Sequence, residues 1–348
     1  GACILRRPSV PSNLRALAAR VCAVIAVVSS PAATSLGSTA RPLSDYTMTS
    51  WSRRDGIELP VWSISQDQEG YLWIGTGSGL SRFDGHRFAT WESLGHERLP
   101  ASTILALLSA RDGSLWIAAG EAGIGRLLNG KFSFYRDPKL AFTRTLFQDR
   151  HGAVWAGSRS GVYLFDGTSW VQQRESVGLP SSPNNGIYED PSGALWVRTL
   201  QGTYRRDPSG QTFDPAPRAE SLPGGTLRDH RGDLWSPSIG QGLTRVRSPH
   251  GARLTEHVTT DTGLSSNVVG AVYEDRDSNI WIGTQAALHE LSPRKFTPVA
   301  NLGAVTMVKA TPDGATWFGS NDGLVRVTRD GRQTFSEQQG LPARVVRA

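Results

Sequence analysis

Seven histidines, His86, His96, His151, His230, His250, His257 and His289, are the natural candidates for acid–base or metal chemistry in this sequence. None pairs with another at the His-x-x-x-His spacing that aims two imidazoles at one ion. Both cysteines, Cys3 and Cys22, fall in the first 40 residues, so the rest of the chain has no thiolate ligand and no disulfide. No metal site and no cofactor is expected. His289-Glu290 sets a histidine beside an acid, but no third group can be named to orient them, so the pair reads as solvent-facing residues of an outer strand. Gly75-Thr76-Gly77-Ser78-Gly79 has the composition of a phosphate loop, yet no lysine follows and no helix begins there, so it reads as a hairpin turn. The Asp-rich turns lack the succession of acidic ligands that a calcium loop needs. Catalytic chemistry is therefore not expected in this segment, and interest shifts to binding residues and to what would gather them.

The elements come from a repeat. YLWIGTGSGLSRFDG at 71–85 recurs as SLWIAAGEAGIGRLLNG at 114–130 and AVWAGSRSGVYLFDG at 153–167. Further copies are ALWVRTLQGTYRRD at 194–207, DLWSPSIGQGLTRV at 233–246, NIWIGTQAALHEL at 279–291 and ATWFGSNDGLVRV at 315–327. The repeated tryptophans are Trp73, Trp116, Trp155, Trp196, Trp235, Trp281 and Trp317, at intervals of 43, 39, 41, 39, 46 and 36. A period of about 40–45 residues with several strands per unit is the pattern of a propeller blade. In each unit an apolar inner strand precedes a turn such as Asp67-Gln68-Glu69-Gly70 or Asp149-Arg150-His151-Gly152, whose closing glycine accepts positive φ without steric cost. The tryptophan strand follows, then a third strand, then Asp84-Gly85, Asn129-Gly130 or Asp166-Gly167 as hairpin signals into a fourth. The expected fold is all-β: a seven-bladed β-propeller of four-stranded antiparallel blades over 41–340, with each indole filling the gap to a neighbouring blade. The fifth and sixth units are irregular, since Ser236-Pro237 follows Trp235 and Ala286-Ala287 replaces Gly-Leu. Residues 341–348 read as the truncated start of a further repeat, and Tyr46–Trp51 as an outer strand able to pair with the last blade.

A propeller places its inner-strand starts and its second-to-third-strand turns around one mouth of the central channel. On that geometry the candidate ligand-binding residues are Trp62, Thr103, Arg144, Asn184 and Asn267 at inner-strand starts, with Arg159 and Asn321 on the turns. One indole, a hydroxyl, amides and guanidinium groups would suit a sugar or other polar small molecule.

Charge narrows the partners. Of the 37 basic residues four, Arg6, Arg7, Arg15 and Arg20, lie in the first 40 positions without any acid, leaving 33 against 31 acidic residues and a net of +2. No basic stripe with interleaved aromatics remains, so nucleic acid is not expected as a partner. The same four arginines, the apolar run Val21 to Val28 and the small residues of Ser30-Pro31-Ala32-Ala33 follow the order of an export signal over 1–40.

At these residues the sequence resembles the two-component regulator propeller family, whose repeat joins a Leu-Trp-Ile-Gly-Thr strand, a Gly-Leu pair, an Asp-Gly turn and a Gly-Leu-Pro corner. Trp73-Ile74-Gly75-Thr76 with Gly79-Leu80 and Phe83-Asp84-Gly85, Trp281-Ile282-Gly283-Thr284, and Trp317-Phe318-Gly319-Ser320 with Gly323-Leu324 carry the likeness, which runs from about residue 46 to the end. The resemblance implies a periplasmic sensor region tethered to the inner membrane in its full-length parent. It also implies downstream membrane and histidine kinase domains, or a diguanylate cyclase, in the same chain. The partners implied are a polysaccharide or other polar small-molecule signal and a second copy in a homodimer. A secreted propeller enzyme, a lyase or a glycan-active protein, is the alternative; it would need a histidine and an acid convergent at the ring mouth.

Overall fold

Five of the seven repeated tryptophan strands are buried on both faces, which is why they read as continuous runs rather than alternating ones. All five residues are buried in Leu72–Thr76, Leu115–Ala119, Val154–Ser158, Leu195–Thr199 and Ile280–Thr284. The computed structural model describes residues 43–346 apart from 218–221, 248–252, 295–301, 303, 329–330 and 343–344, so the leader read over 1–40 lies outside the described residues. Within them the chain forms seven four-stranded antiparallel sheets in a propeller-like arrangement. Their inner strands are Val61–Gln66, Ile104–Ser109, Thr145–Gln148, Asn184–Glu189, Leu227–Arg228, Val269–Glu274 and Val305–Ala310. The sheets are numbered one to seven in that order.

Turn chemistry fixes each unit. The aspartate six residues before the tryptophan does two jobs at once. Asp149 Oδ1 accepts from the backbone N–H groups of His151 and Ala153, and its Oδ2 accepts from Trp155 Nε1 at 2.9 Å. The same indole–carboxylate bond joins Trp73 to Asp67, Trp196 to Asp190, Trp235 to Asp229 and Trp281 to Asp275 at 2.7–2.9 Å. At the far end of the strand Thr76 Oγ1 accepts from the N–H groups of Ser78 and Gly79, so the Gly75–Gly79 run is a side-chain-capped hairpin turn. Gly75 has a second reason: a Cβ there would collide with Ser63 and with Ile104 of the next sheet.

Closure departs from the simplest expectation. Tyr46–Trp51 pairs antiparallel with Leu288–Pro293 and so supplies the outer strand of the sixth sheet, not of the last. The sixth sheet then packs directly on the first: Val61, Leu72, Ile74 and Phe83 share one core with Ala271, Trp281 and Leu288, and Trp51 stacks on Trp281 at 5.4 Å. The inner strands of sheets one to six line a central channel of about 430 Å³. Among the described residues the seventh sheet contributes none to that lining, and Val305 and Val308 of its inner strand are exposed.

An ion cluster fastens the added strand. Arg245, fully buried on the fifth sheet, donates to both carboxylate oxygens of Asp45 at 3.0 Å and to Asp233 at 2.7 Å. Its guanidinium lies 5.0 Å from the Tyr46 ring centroid and 4.7 Å from that of Trp235. Burial alone would lower the Arg245 pKa, but Asp45 and Asp233 hold it above its ordinary value.

His289 corrects the sequence reading. It is not a solvent-facing residue, because strand Tyr46–Trp51 covers it and leaves it fully buried. Ser265 N–H donates to Nε2 at 3.2 Å, so Nδ1 carries the proton toward Ser50 Oγ at 2.7 Å. Glu290, the next residue, points to the other face of the strand and bonds Ser292. The two do not form an acid–base pair.

Candidate functional site

Four of the seven sequence-derived candidates meet at one end of the channel. Trp62 opens onto it near the start of the first inner strand, Thr103 and Arg144 stand just before the second and third, and Arg159 reaches in from the hairpin between the second and third strands of sheet three. Together they line a cavity of about 800 Å³, which shares Trp62, Leu105 and Arg144 with the channel below it. The backbone sets these positions. Arg144 N–H donates to Gly157 O at 2.9 Å, which ties the start of the third inner strand to its partner strand. Thr103 Oγ1 donates to Gly77 O at 3.3 Å, tying the second sheet to the hairpin of the first.

The charged groups are at the surface of the cavity. Arg144 and Arg159 are exposed, and the Arg159 guanidinium sits 3.9 Å from the Phe142 ring centroid, a cation–π contact that orients it. Glu121 on the hairpin of the second sheet supplies one carboxylate, and the half-buried Trp62 lines the same cavity. Two guanidinium groups, a carboxylate, a hydroxyl and an indole can hydrogen-bond and stack on a polar ligand that carries both hydroxyls and a flat apolar face.

Three candidates do not join them. Asn184 is turned into the protein: its Nδ2 donates to Arg198 O at 2.9 Å, and its side chain fills the space above Gly157 where any Cβ would collide. Asn267 accepts from Thr260 N–H at 2.9 Å and so caps the corner before the sixth inner strand. Asn321 is exposed on a hairpin of the seventh sheet, which lies outside the channel lining. Sequence reading missed Glu121, Phe142 and Ile239. Ile239 carried a signal, being an apolar residue on a hairpin where the other units have Gly77, Gly120, Arg159, Leu200, Gln285 and Asn321, only one of them apolar with a large side chain; it is 76% exposed at the cavity rim. Phe142 had none, because its place follows from a left-handed backbone (φ 55°) in the corner between sheets two and three. Among the described residues no group of three or more His, Cys, Asp or Glu side chains is arranged to hold a metal ion.

Comparison with known proteins agrees with the repeat. Residues 55–78 and 263–286 match the two component regulator propeller model. No curated protein is similar to the chain in sequence. Among solved structures, the chain is similar to an extracellular domain assigned to a hybrid two-component system, BT3049 of B. thetaiotaomicron, at 18% identity and a TM-score of 0.54, covering 87% of this chain and 50% of that one. A second likeness is to the extracellular domain of BT4673 from the same organism, assigned to a one-component system, at 18% identity and a TM-score of 0.56, covering 87% and 49%. The chain thus spans about half the length of these solved chains. At such identity the likeness speaks for the fold. By its seven four-stranded sheets the chain has a propeller-like fold, and two of its repeats match the two component regulator propeller model.

Proposed function

We propose that this chain is the periplasmic ligand-sensing propeller of a membrane-bound two-component signalling protein of the sensor histidine kinase type, with no catalysis in this segment. The observation that carries the reading is convergence. Residues from three sheets and from two kinds of loop meet in one cavity of about 800 Å³ at a channel mouth, inside the size range of small-molecule sites. The match to the two component regulator propeller model, and the fold likeness to an extracellular domain assigned to a hybrid two-component system, support the reading. The ligand class is a polysaccharide fragment or other polar small molecule, held by Arg144, Arg159 and Thr103 and stacked on Trp62. Export over residues 1–40 and a downstream membrane and kinase part belong to the same proposal.

The test is a thermal-shift and calorimetric screen with charged and neutral oligosaccharides, because a ligand selective for the native state raises its apparent stability. For the ligand found, Arg144→Ala and Trp62→Ala are each expected to weaken binding at least about tenfold, the loss of one charge-assisted hydrogen bond or one stacking surface. Binding that both variants leave untouched would place the ligand elsewhere and remove the mouth from the proposal.

A further inference from the structure

Five of the seams between neighbouring sheets hold an apolar core, and each is built the same way. The residue after the tryptophan in one sheet packs toward the indole of the preceding sheet: Ile117 with Trp73, Ala156 with Trp116, Val197 with Trp155, Ile282 with Trp235, Ile74 with Trp281. In the fifth sheet that position is Ser236, and the inner strand beside it shrinks to Leu227–Arg228. Ser236 Oγ is hydrogen-bonded to Thr226 Oγ1 at 2.9 Å, so a polar pair stands where the other seams have aliphatic volume. Among the described residues no apolar cluster spans the seam between sheets four and five. It holds a cleft of about 420 Å³ instead.

We propose that this cleft is a second binding site, for a small planar aromatic carboxylate. Its wall is flat and aromatic: Tyr188 and Trp196 lie parallel, 1° apart, with centroids at 6.1 Å, and Phe147 lines the same space. The wall is held rigid, since Trp196 Nε1 donates to Asp190 and Tyr188 Oη accepts from Leu222 N–H at 2.8 Å. The charges of the lining are unequal in availability. Glu189 is engaged by Arg150 through its guanidinium and its backbone N–H, and Asp190 accepts from Ser192, Ala194 and Trp196. Arg228 is exposed on the facing lip; one of its N–H groups reaches Gly232 O at 3.4 Å, and it has no carboxylate partner among the described residues.

The carboxylates' oxygens are thus hydrogen-bonded within the protein, while the guanidinium meets no carboxylate among the described residues. A ring stacked on the aromatic wall with a carboxylate facing Arg228 satisfies both features, through two parallel N–H donors and an offset stack. A neutral ring would leave the guanidinium unused. The cleft is lined by the far ends of the inner strands, away from the mouth where those strands begin, so this site does not depend on the sensing proposal.

The experiment is calorimetric titration of the whole chain with 4-hydroxybenzoate, with benzyl alcohol as the neutral comparator. Wild-type protein is expected to bind the anion saturably and the alcohol at least tenfold more weakly. Arg228→Gln should weaken the anion tenfold or more and leave the alcohol unchanged. Ser236→Ile, which gives this seam the side chain that three other seams carry, should abolish binding while leaving the melting temperature equal or higher. Arg144→Ala, at the mouth, should bind as wild type does. The inference fails if the anion does not bind, if Ser236→Ile or Arg228→Gln binds it like wild type, or if Arg144→Ala abolishes binding.

Discussion

The smallest repeated device in this protein is one carboxylate that shapes a turn with one oxygen and takes an indole N–H with the other. Five of the seven tryptophans have it. In the second unit the position six residues before Trp116 is Ala110, and Trp116 Nε1 is buried with no hydrogen-bond partner among the described residues. The backbone there already has the required form: Ala110 N–H bonds Ser114 O as Asp149 N–H bonds Ala153 O. Ala110→Asp is therefore expected to stabilise the fold by about 1 kcal/mol, the net worth of satisfying one buried donor, whereas Asp149→Ala should cost roughly 1–3 kcal/mol by orphaning another. Denaturant midpoints of the two variants against wild type check both signs. The tryptophans were legible because a large buried ring repeats visibly. The aspartate's second task was not, because an Asp–Gly turn explains the residue already and the indole bond shows only when the two are counted six apart.

At the level of elements the decisive piece is strand Tyr46–Trp51, which completes a sheet whose other strands lie more than 200 residues away. The sequence identified it as an outer strand, since its alternation is local, but its partner is set by the distant surfaces of Leu288–Pro293 and by Asp45 reaching Arg245. His289 reports on this strand. Burial lowers its pKa to about 4 from an ordinary 6.5, and the neutral ring bridges Ser50 and Ser265. Protonation would set N–H against N–H at Nε2. Between pH 6.5 and 4 the unfolded chain binds the proton and the native chain does not, so the native state loses up to roughly 3 kcal/mol as pH falls through that window and keeps its full stability above it. His289→Gln, which can still accept from Ser265 and donate to Ser50, should flatten the dependence. Stability curves for the two proteins at pH 7 and pH 4.5 measure the difference, and parallel curves would refute the assignment.

For the molecule as a whole, seven units are readable from the sequence because local pattern dictates each sheet, yet how many surround the channel is a property of angles between sheets, which no single repeat encodes. Sheet one meets sheet six, and the seventh sheet lies beyond that contact. A fragment covering 43–294 should therefore melt cooperatively within a few degrees of the full chain, while one starting at residue 53 should lose the sixth sheet's outer strand and the Asp45–Arg245 contacts and melt much lower. Scanning calorimetry of both fragments decides. The candidate mouth was legible to the extent that it depends on strand starts: Trp62, Thr103 and Arg144 arrived there, Asn184 and Asn267 did not, because short amide side chains are absorbed by nearby backbone groups before they can face an opening.

The bond between Ser50 and His289 joins residues 239 positions apart. Synthesis delivers the chain from its amino end, so residues 46–51 leave the ribosome long before their partner exists. Throughout that interval an edge-forming segment waits unmatched, and a stalled or shortened product would carry it permanently into the crowd of other nascent proteins. Quality control for this fold is thus a matter of timing: the strand that completes the sixth sheet is made before every other strand of that sheet.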